Sequence, residues 1–197
     1  MRFFSLDGFF YFRRMKASDY FFKTTFKPEE NFSLLREDPN KDKIGYGTFF
    51  MSIGFQIGIK LLSLVLLMGY YGGIIGDFLS SIIVSILVFN VLLLVFTHVA
   101  INQAAEGKHA DWQLVMGLVG SSSLPIVIAT ILSSFLWSGG QLFGWLGSIG
   151  AGVILGLGAH ILMGIKKEPA VIIGPILVVV VHYVSGFLNQ FLFNVYY

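Results

Sequence analysis

Cysteine is absent from this 197-residue sequence, and charge is scarce in most of it. Without cysteine the chain has no disulfide, no thiolate metal ligand and no cysteine nucleophile. Of its charged side chains, 16 fall within residues 1–43. The other residues carry only eight. A chain that is 55% hydrophobic and 12% charged lies outside the composition of soluble domains, so we predict an integral membrane protein.

The patterns of nucleic-acid binding and of common catalysis are also missing. Nine Lys/Arg in residues 1–43 alternate with seven Asp/Glu, so they form no continuous basic face. There is no GxSxG sequence, no Walker A loop and no pair of intramembrane aspartates. We therefore expect no nucleic-acid partner, no catalytic residues, no cofactor and no enzyme.

Five apolar stretches are each long enough for a helix that crosses a hydrocarbon core of roughly 30 Å. Glycine-rich or polar turns separate them. The N-terminal residues contain no uninterrupted apolar run, so we expect no cleaved signal peptide. The predicted fold is an all-α polytopic bundle with a transmembrane domain over residues 47–197, and its spans are 47–70, 78–100, 114–136, 144–163 and 171–193.

The first span contains Lys60, which could instead mark its beginning. A helix that began at Leu61 would be too short to cross before the turn at Tyr70. The span must therefore include residues 47–60, which places Lys60 near mid-membrane. Ser52, Gln56, Lys60 and Ser63 form a polar stripe at helical spacing, and Gly54 and Gly58 lie roughly opposite it. We therefore expect neighbours on both sides of this helix.

Lysine and arginine predict the orientation, because short cytoplasmic loops retain them. With the N-terminus inside, the N-terminal segment, Lys108, Lys166 and Lys167 are all cytoplasmic, and the opposite loops carry no Lys or Arg. We predict a multi-pass protein of the cell (cytoplasmic) membrane with its N-terminus cytoplasmic and its C-terminus outside.

Residues 1–46 form a separate cytoplasmic segment in this interpretation. Nine phenylalanines precede residue 33, and basic residues alternate with them. This composition is typical of short amphipathic helices at the membrane interface, although a cap packed on the cytoplasmic loops would bury the same rings. Lys27 to Lys43, with two prolines, is predicted to be a charged, weakly structured linker. The residues assigned to the interface are Phe9, Phe10, Phe12, Arg13 and Arg14.

Four polar residues lie at similar depth in three spans: Gln56, Lys60, Asn90 and His182. They predict a midplane polar site that binds an anion or relays protons, as in many transporters. The structural alternative is interhelical hydrogen bonding with a lysine that snorkels to the membrane surface. No acidic residue lies in a predicted span, so Lys60 would need a lipid phosphate, an anion, water or a partner protein, or would be neutral.

Three further histidines, His98, His109 and His160, lie near cytoplasmic helix ends, with Glu106 and Asp111 close by. They could imitate a metal set, but no HExxH or similar close ligand spacing is present. We predict no metal.

Small residues recur every fourth position in the fourth span. Such a groove lets a second helix backbone approach closely, which is how helices associate in lipid. The partner is predicted within the same chain, and a second protomer is the alternative. The packing residues are Gly144, Ser148, Gly152 and Gly156, with Gly54 and Gly58 on the first span.

The segment from Ala105 to Trp112, followed by Gly117 to Pro125, resembles the junction of the second and third helices in the bacterial Yip1-like family. Glu106-Gly107 stands where a double glycine is more typical, and the aromatic, proline-rich signature of eukaryotic members is missing. The resemblance implies a five-span, non-enzymatic membrane protein. Eukaryotic relatives act in vesicle trafficking and bind small GTPases, while bacterial ones have no general assigned activity.

Three functions remain open at the level of sequence. The first is a scaffold or accessory protein that binds membrane lipid and a protein partner, or forms a homo-oligomer, through the N-terminal region and the glycine groove. The second is a small transporter, channel or lipid-handling protein that uses Lys60, Asn90 and His182. The third is an immunity protein that protects its membrane against a toxin, for which the sequence carries no positive mark.

Overall fold

A computed structural model describes residues 16–68, 75–104, 110–135 and 140–194, and all regular elements within these ranges are α-helices. There are two short helices before the first long one, and the later helices run back and forth as a bundle. In chain order they are α1 (Ala17–Lys23), α2 (Pro28–Glu37), α3 (Lys41–Met68), α4 (Ile75–Ala104), α5 (Trp112–Ser122), α6 (Leu124–Phe135), α7 (Gly140–Met163) and α8 (Lys167–Asn194).

Four of these helices, α3, α4, α7 and α8, are long and apolar enough to cross a membrane. Helices α5 and α6 pass the same test together and make a fifth span if the bent pair counts as one. The predicted all-α transmembrane bundle is therefore confirmed. The helices extend beyond the apolar stretches, since α3 begins at Lys41 instead of residue 47 and α4 continues to Ala104. Hydropathy marks only the part of a helix that lipid can cover.

The third span is not the continuous helix that the sequence predicts. It breaks at Ser123, where α5 and α6 meet at an angle of 41°. Pro125 explains the break, because a proline cannot donate to the preceding turn and its ring crowds that turn's carbonyl. Serine hydroxyls bind carbonyls there, Ser122 Oγ to Leu118 O at 2.7 Å and Ser123 Oγ to Gly120 O at 2.7 Å.

The segment from Lys27 to Lys43, predicted to be a linker, is largely helical. Pro28 occupies the first turn of α2, where its missing N–H costs nothing. Phe32 and Leu35 are fully buried on one face of α2, while Glu29 and Arg36 point outward to Lys167 and to the Ile161 carbonyl. The mixed charges therefore cover the outside of a packed helix.

Helices α1 and α2 share the core of the bundle. Tyr20, Phe32 and Leu35 are buried in one cluster with residues of all the later helices except α6, among them Leu118 and Val178. The predicted boundary at residue 46 falls inside α3. We call the end of the bundle where α2 lies against the start of α8 the capped end, and the opposite end the open end.

Close backbone contacts hold the capped end together. A Cβ built on Gly156 would overlap the backbone of Ala170, and one on Gly152 would overlap Pro175, so α7 and α8 touch through their backbones. Gly120 of α5 meets α3 at Phe49 in the same way. Helix α7 ends at Gly164, whose φ of 71° favours glycine.

Candidate functional site

Two polar residues one turn apart on α3 have different surroundings. Gln56 is 4% exposed and lies in a hydrogen-bonded network that joins three parts of the bundle. Its Nε2 donates to Ser52 Oγ at 3.1 Å, and the hydroxyls of Ser52 and Ser123 are hydrogen-bonded to each other at 2.5 Å. Asn90 Nδ2 on α4 donates to Gln56 Oε1 at 3.4 Å. This network ties α3 to α4 and to the break between α5 and α6.

Lys60 instead lines a cavity of about 740 Å³ near the open end. Four helices form its walls: α3, α6, α7 and α8. The cavity lies within the apolar helices, yet a lysine, a histidine, hydroxyls and an amide line it. The lining residues are Lys60, Ile126, Ala129, Thr130, Ser133, Gly144, Trp145, Ser148, His182, Tyr183, Gly186, Phe187 and Gln190.

His182 stands among aromatic rings on the cavity wall. Its ring centroid lies 6.1 Å from that of Phe89 and 6.5 Å from that of Trp145. Trp145 in turn meets Tyr183 edge-on at 5.0 Å. Edge-to-face arrangements at these distances are favourable and hold the rings in place. Trp145, His182 and Tyr183 therefore form an amphipathic wall of the cavity.

The four residues of the predicted midplane site thus fall into two separate groups. Lys60 and His182 share the cavity, while Gln56 and Asn90 bind each other in the buried network. No carboxylate of the described residues lies within 4.0 Å of the Lys60 amine. A cation in this setting attracts an anion, water or a polar headgroup.

Several cavity residues were not singled out in the sequence. Tyr183, Gly186 and Gln190 are on α8 with His182, and Trp145 is on α7. His182, Gly186 and Gln190 recur every fourth position, which is a signal that one helix face carries them together. Hydropathy alone does not contain that information.

The predicted packing residues differ in what they contact. Gly152 and Gly156 contact the backbone of α8, while Gly144 and Ser148 line the cavity. A Cβ on Gly144 would lie 3.9 Å from His182 Cε1, an ordinary contact. Within the part of the chain that the structure describes, a Cβ on Gly54 or Gly58 would meet nothing within 4 Å. Among the described residues, the neighbours predicted on the glycine side of α3 are therefore absent at Gly54 and Gly58.

The described histidines near the capped end make structural contacts. His98 stacks on Trp112 with centroids 3.8 Å apart, and its Nε2 lies 2.9 Å from Asn102 Nδ2. His160 Nδ1 lies 2.6 Å from Ile165 O. Among the described residues no three His, Asp or Glu side chains are grouped as metal ligands. His109 lies outside the described residues.

Part of the predicted interfacial segment can be assessed. Phe9, Phe10, Phe12, Arg13 and Arg14 lie outside the described residues. In α1 the Phe21 ring is buried and stacks on Phe55 of α3 at 5.6 Å, whereas Phe22 is 45% exposed; Phe26, just after α1, is 78% exposed. Phe21 therefore packs in the core, while Phe22 and Phe26 lie on the surface.

Two ionisable groups at the capped end have shifted pKa values. Burial, with the nearby Asp38 carboxylate, raises the pKa of Tyr20 to about 12. The Tyr20 hydroxyl donates to Asp38 Oδ2 at 3.4 Å. The hydrogen bond and charge of Lys167, 2.8 Å away, lower the pKa of Glu29.

A family model described as the Yip1 domain matches residues 22–188. The match begins within α1 and ends within α8, so it includes most of the chain. No curated protein and no solved structure matches the chain.

Proposed function

The chain belongs to the Yip1 family of integral membrane proteins, and on this premise we propose that it is a non-enzymatic scaffold that binds a partner membrane helix. Members of this family are membrane proteins that are not known as enzymes. The partner helix belongs to a second copy of the chain or to another membrane protein.

The open face of α3 carries this proposal. Gly54 and Gly58 lie four residues apart on it, and Phe50 and Leu62, 61% and 54% exposed, flank them on the same face. Small residues between large ones let a second backbone approach and give its side chains a surface to grip. The matching groove on α7 is already filled by α8, which leaves α3 as the face for a partner.

The absence of cysteine gives a direct test of this face. We expect a single Gly58→Cys variant, oxidised in the membrane, to form a disulfide-linked dimer if the partner is a second copy. A photoactivatable residue at the same position captures a different protein. The matched control is Ile176→Cys on α8, which is 57% exposed on a face without glycines. Equal cross-linking at both positions, or none at position 58 with either reagent, would refute the proposal.

The exposed aromatic rings in α1 and just after it add a second contact with the partner in this proposal. Tyr20, Phe21 and Thr24 are fully buried, so a deletion that reached residue 26 would remove core residues together with the surface. Phe26→Ser changes the exposed ring alone. We expect it to weaken cross-linking at position 58 while the variant inserts and unfolds like the parent protein.

A second candidate function is lipid handling or small-solute transport through the cavity. The cavity at Lys60 and His182 favours it, because polar side chains inside a membrane bundle commonly mark a pathway or ligand site. In reconstituted vesicles, lipid scrambling or solute flux that Lys60→Leu abolishes would support this candidate. Flux that Lys60→Leu leaves unchanged would exclude this site.

We also propose that the capped end faces the cytoplasm of the cell membrane. Lys167 binds Glu29 there, so the basic residues of the α7–α8 connection and of α2 share one side. Retention of such residues on the cytoplasmic side is the general rule. A single cysteine at Lys27, 69% exposed, should react with a membrane-impermeant reagent only after the membrane is opened.

A further inference from the structure

We propose that the cavity at the open end binds the phosphate headgroup of an anionic phospholipid, with Lys60 as its cation and the acyl chains along α8. The inference rests on the lipid-handling candidate above and names its ligand. Three features of the cavity support it: its charge, its size and its continuity with the lipid-facing surface.

The charge comes from Lys60, which has no carboxylate within 4.0 Å among the described residues. A phosphate oxygen accepts charge-assisted hydrogen bonds from an ammonium group. Ser148, only 2% exposed, lines the same cavity and carries a hydroxyl group. A cavity lined by one cation and several hydroxyls suits an anionic phosphate better than it suits a positively charged ligand.

The size is appropriate for a headgroup. A volume of about 740 Å³ lies within the roughly 300–1,000 Å³ that is usual for sites of small organic ligands. Trp145 and Tyr183, 5.0 Å apart, provide rings with polar edges on one wall. Such rings suit the glycerol region of a lipid, where polar and apolar parts meet.

The wall formed by α8 continues onto the lipid-facing surface. Tyr183 and Phe187 line the cavity and are 59% and 70% exposed. Ile176 and Phe191, 57% and 63% exposed, extend the same face of α8 in both directions. A phospholipid can therefore place its headgroup in the cavity and leave its chains on a surface that acyl chains already cover. A water-soluble anion would gain nothing from this surface.

The experiment measures which lipid stays bound. The full chain is reconstituted in vesicles of phosphatidylcholine with phosphatidylglycerol, extracted in mild detergent and analysed by native mass spectrometry. We expect one retained phosphatidylglycerol and about tenfold less retention in Lys60→Met, since a charged hydrogen bond is lost. Lys60→Arg should retain the lipid. Lys27→Met, which removes a surface lysine far from the cavity, is the matched control.

A second variant fills the cavity and leaves Lys60 unchanged. A Cβ on Gly186 meets nothing within 4 Å, so Gly186→Leu places a side chain in the cavity without displacing backbone. We expect it to lower phosphatidylglycerol retention as much as Lys60→Met, with unfolding like the parent protein. This variant keeps the test informative if Lys60→Met inserts poorly.

Two results would overturn the proposal. Equal retention of phosphatidylcholine and phosphatidylglycerol in every variant would show that the cavity does not select an anionic headgroup. Glycerol phosphate that binds alone, with the same dependence on Lys60, would show that the source is a soluble phosphate. The scaffold proposal is scored separately by cross-linking at position 58. Retained phosphatidylglycerol without any solute or lipid flux would exclude the transport function and would still support the lipid-binding site.

Discussion

The capped end and the open end of the bundle are built from the same residue types and pack differently. At the capped end, glycines such as Gly120 and Gly156 meet another helix backbone directly. At the open end Gly186 meets nothing within 4 Å and a cavity lies between the helices, although Gly147 of α7 still packs closely on α6 at Pro125. In lipid, close packing supplies much of the force that holds helices together. The capped end therefore concentrates stability, and the open end leaves room for a ligand.

The largest test of this contrast is a change that forces the backbones apart at the capped end. Gly156→Leu would drive a side chain into the backbone of Ala170, where nothing flexible can move aside. We expect a loss of about 3 kcal/mol or more, the upper range for overpacked cores. Thermal unfolding in detergent measures it. Gly54→Leu, at a position with free space, is the control and should unfold like the parent protein; equal losses in both variants would contradict the contrast.

The buried network is the next test. Asn90→Leu removes the donor to Gln56 Oε1 and leaves that acceptor without its partner. We expect a loss of about 0.6–1.7 kcal/mol, the range for interhelical hydrogen bonds in membranes. Lys60→Met, one turn further along α3 from Gln56, should lose no stability. A larger loss in Lys60→Met than in Asn90→Leu would mean that the lysine is structural.

Tyr20 makes the capped end sensitive to alkali. Because its pKa is raised from 10.0 to about 12 in the fold, the neutral hydroxyl contributes stability that is complete below pH 10. That contribution is lost as the pH rises through about 12. Unfolding temperatures recorded from neutral pH upward should fall faster in the parent protein than in Tyr20→Phe. Parallel curves would exclude this role of Tyr20.

The smallest expected effect concerns the ion pair between Glu29 and Lys167. The lowered pKa of Glu29 means that its contribution is present above its unfolded pKa and is lost as the pH falls through the lower folded value. The pair is exposed, so solvent screens its charges and we expect only a small contribution to stability. Lys167→Met should flatten the acid side of the stability curve slightly, and added salt should do the same in the parent protein.

The sequence predicts the spans well because lipid requires long apolar runs, and nothing else in a short chain produces five of them. It predicts α2 poorly. Pro28 and the mixed charges are typical of a linker, and only the spacing of Phe32 and Leu35 indicates a buried face. A polar outer face on a packed helix is difficult to distinguish from a solvated loop in one sequence.

The sequence predicts how deep in the membrane a site residue lies, but it does not predict which neighbouring helix the side chain faces. Similar depth associates Lys60 with His182, and both residues line the cavity. It also associates them with Gln56 and Asn90, which bind each other elsewhere. Which neighbour a side chain meets depends on how far the helices have diverged at that level. Helix crossing angles are not readable from hydropathy.

The bend at Ser123 has a geometric consequence for the open end. Helix α6 is twelve residues long, or roughly 18 Å at 1.5 Å per residue. A turn of 41° at its base carries its far tip sideways by about 12 Å, roughly the width of one helix. The far end of α6 therefore lies about one helix width away from where a straight third span would place it.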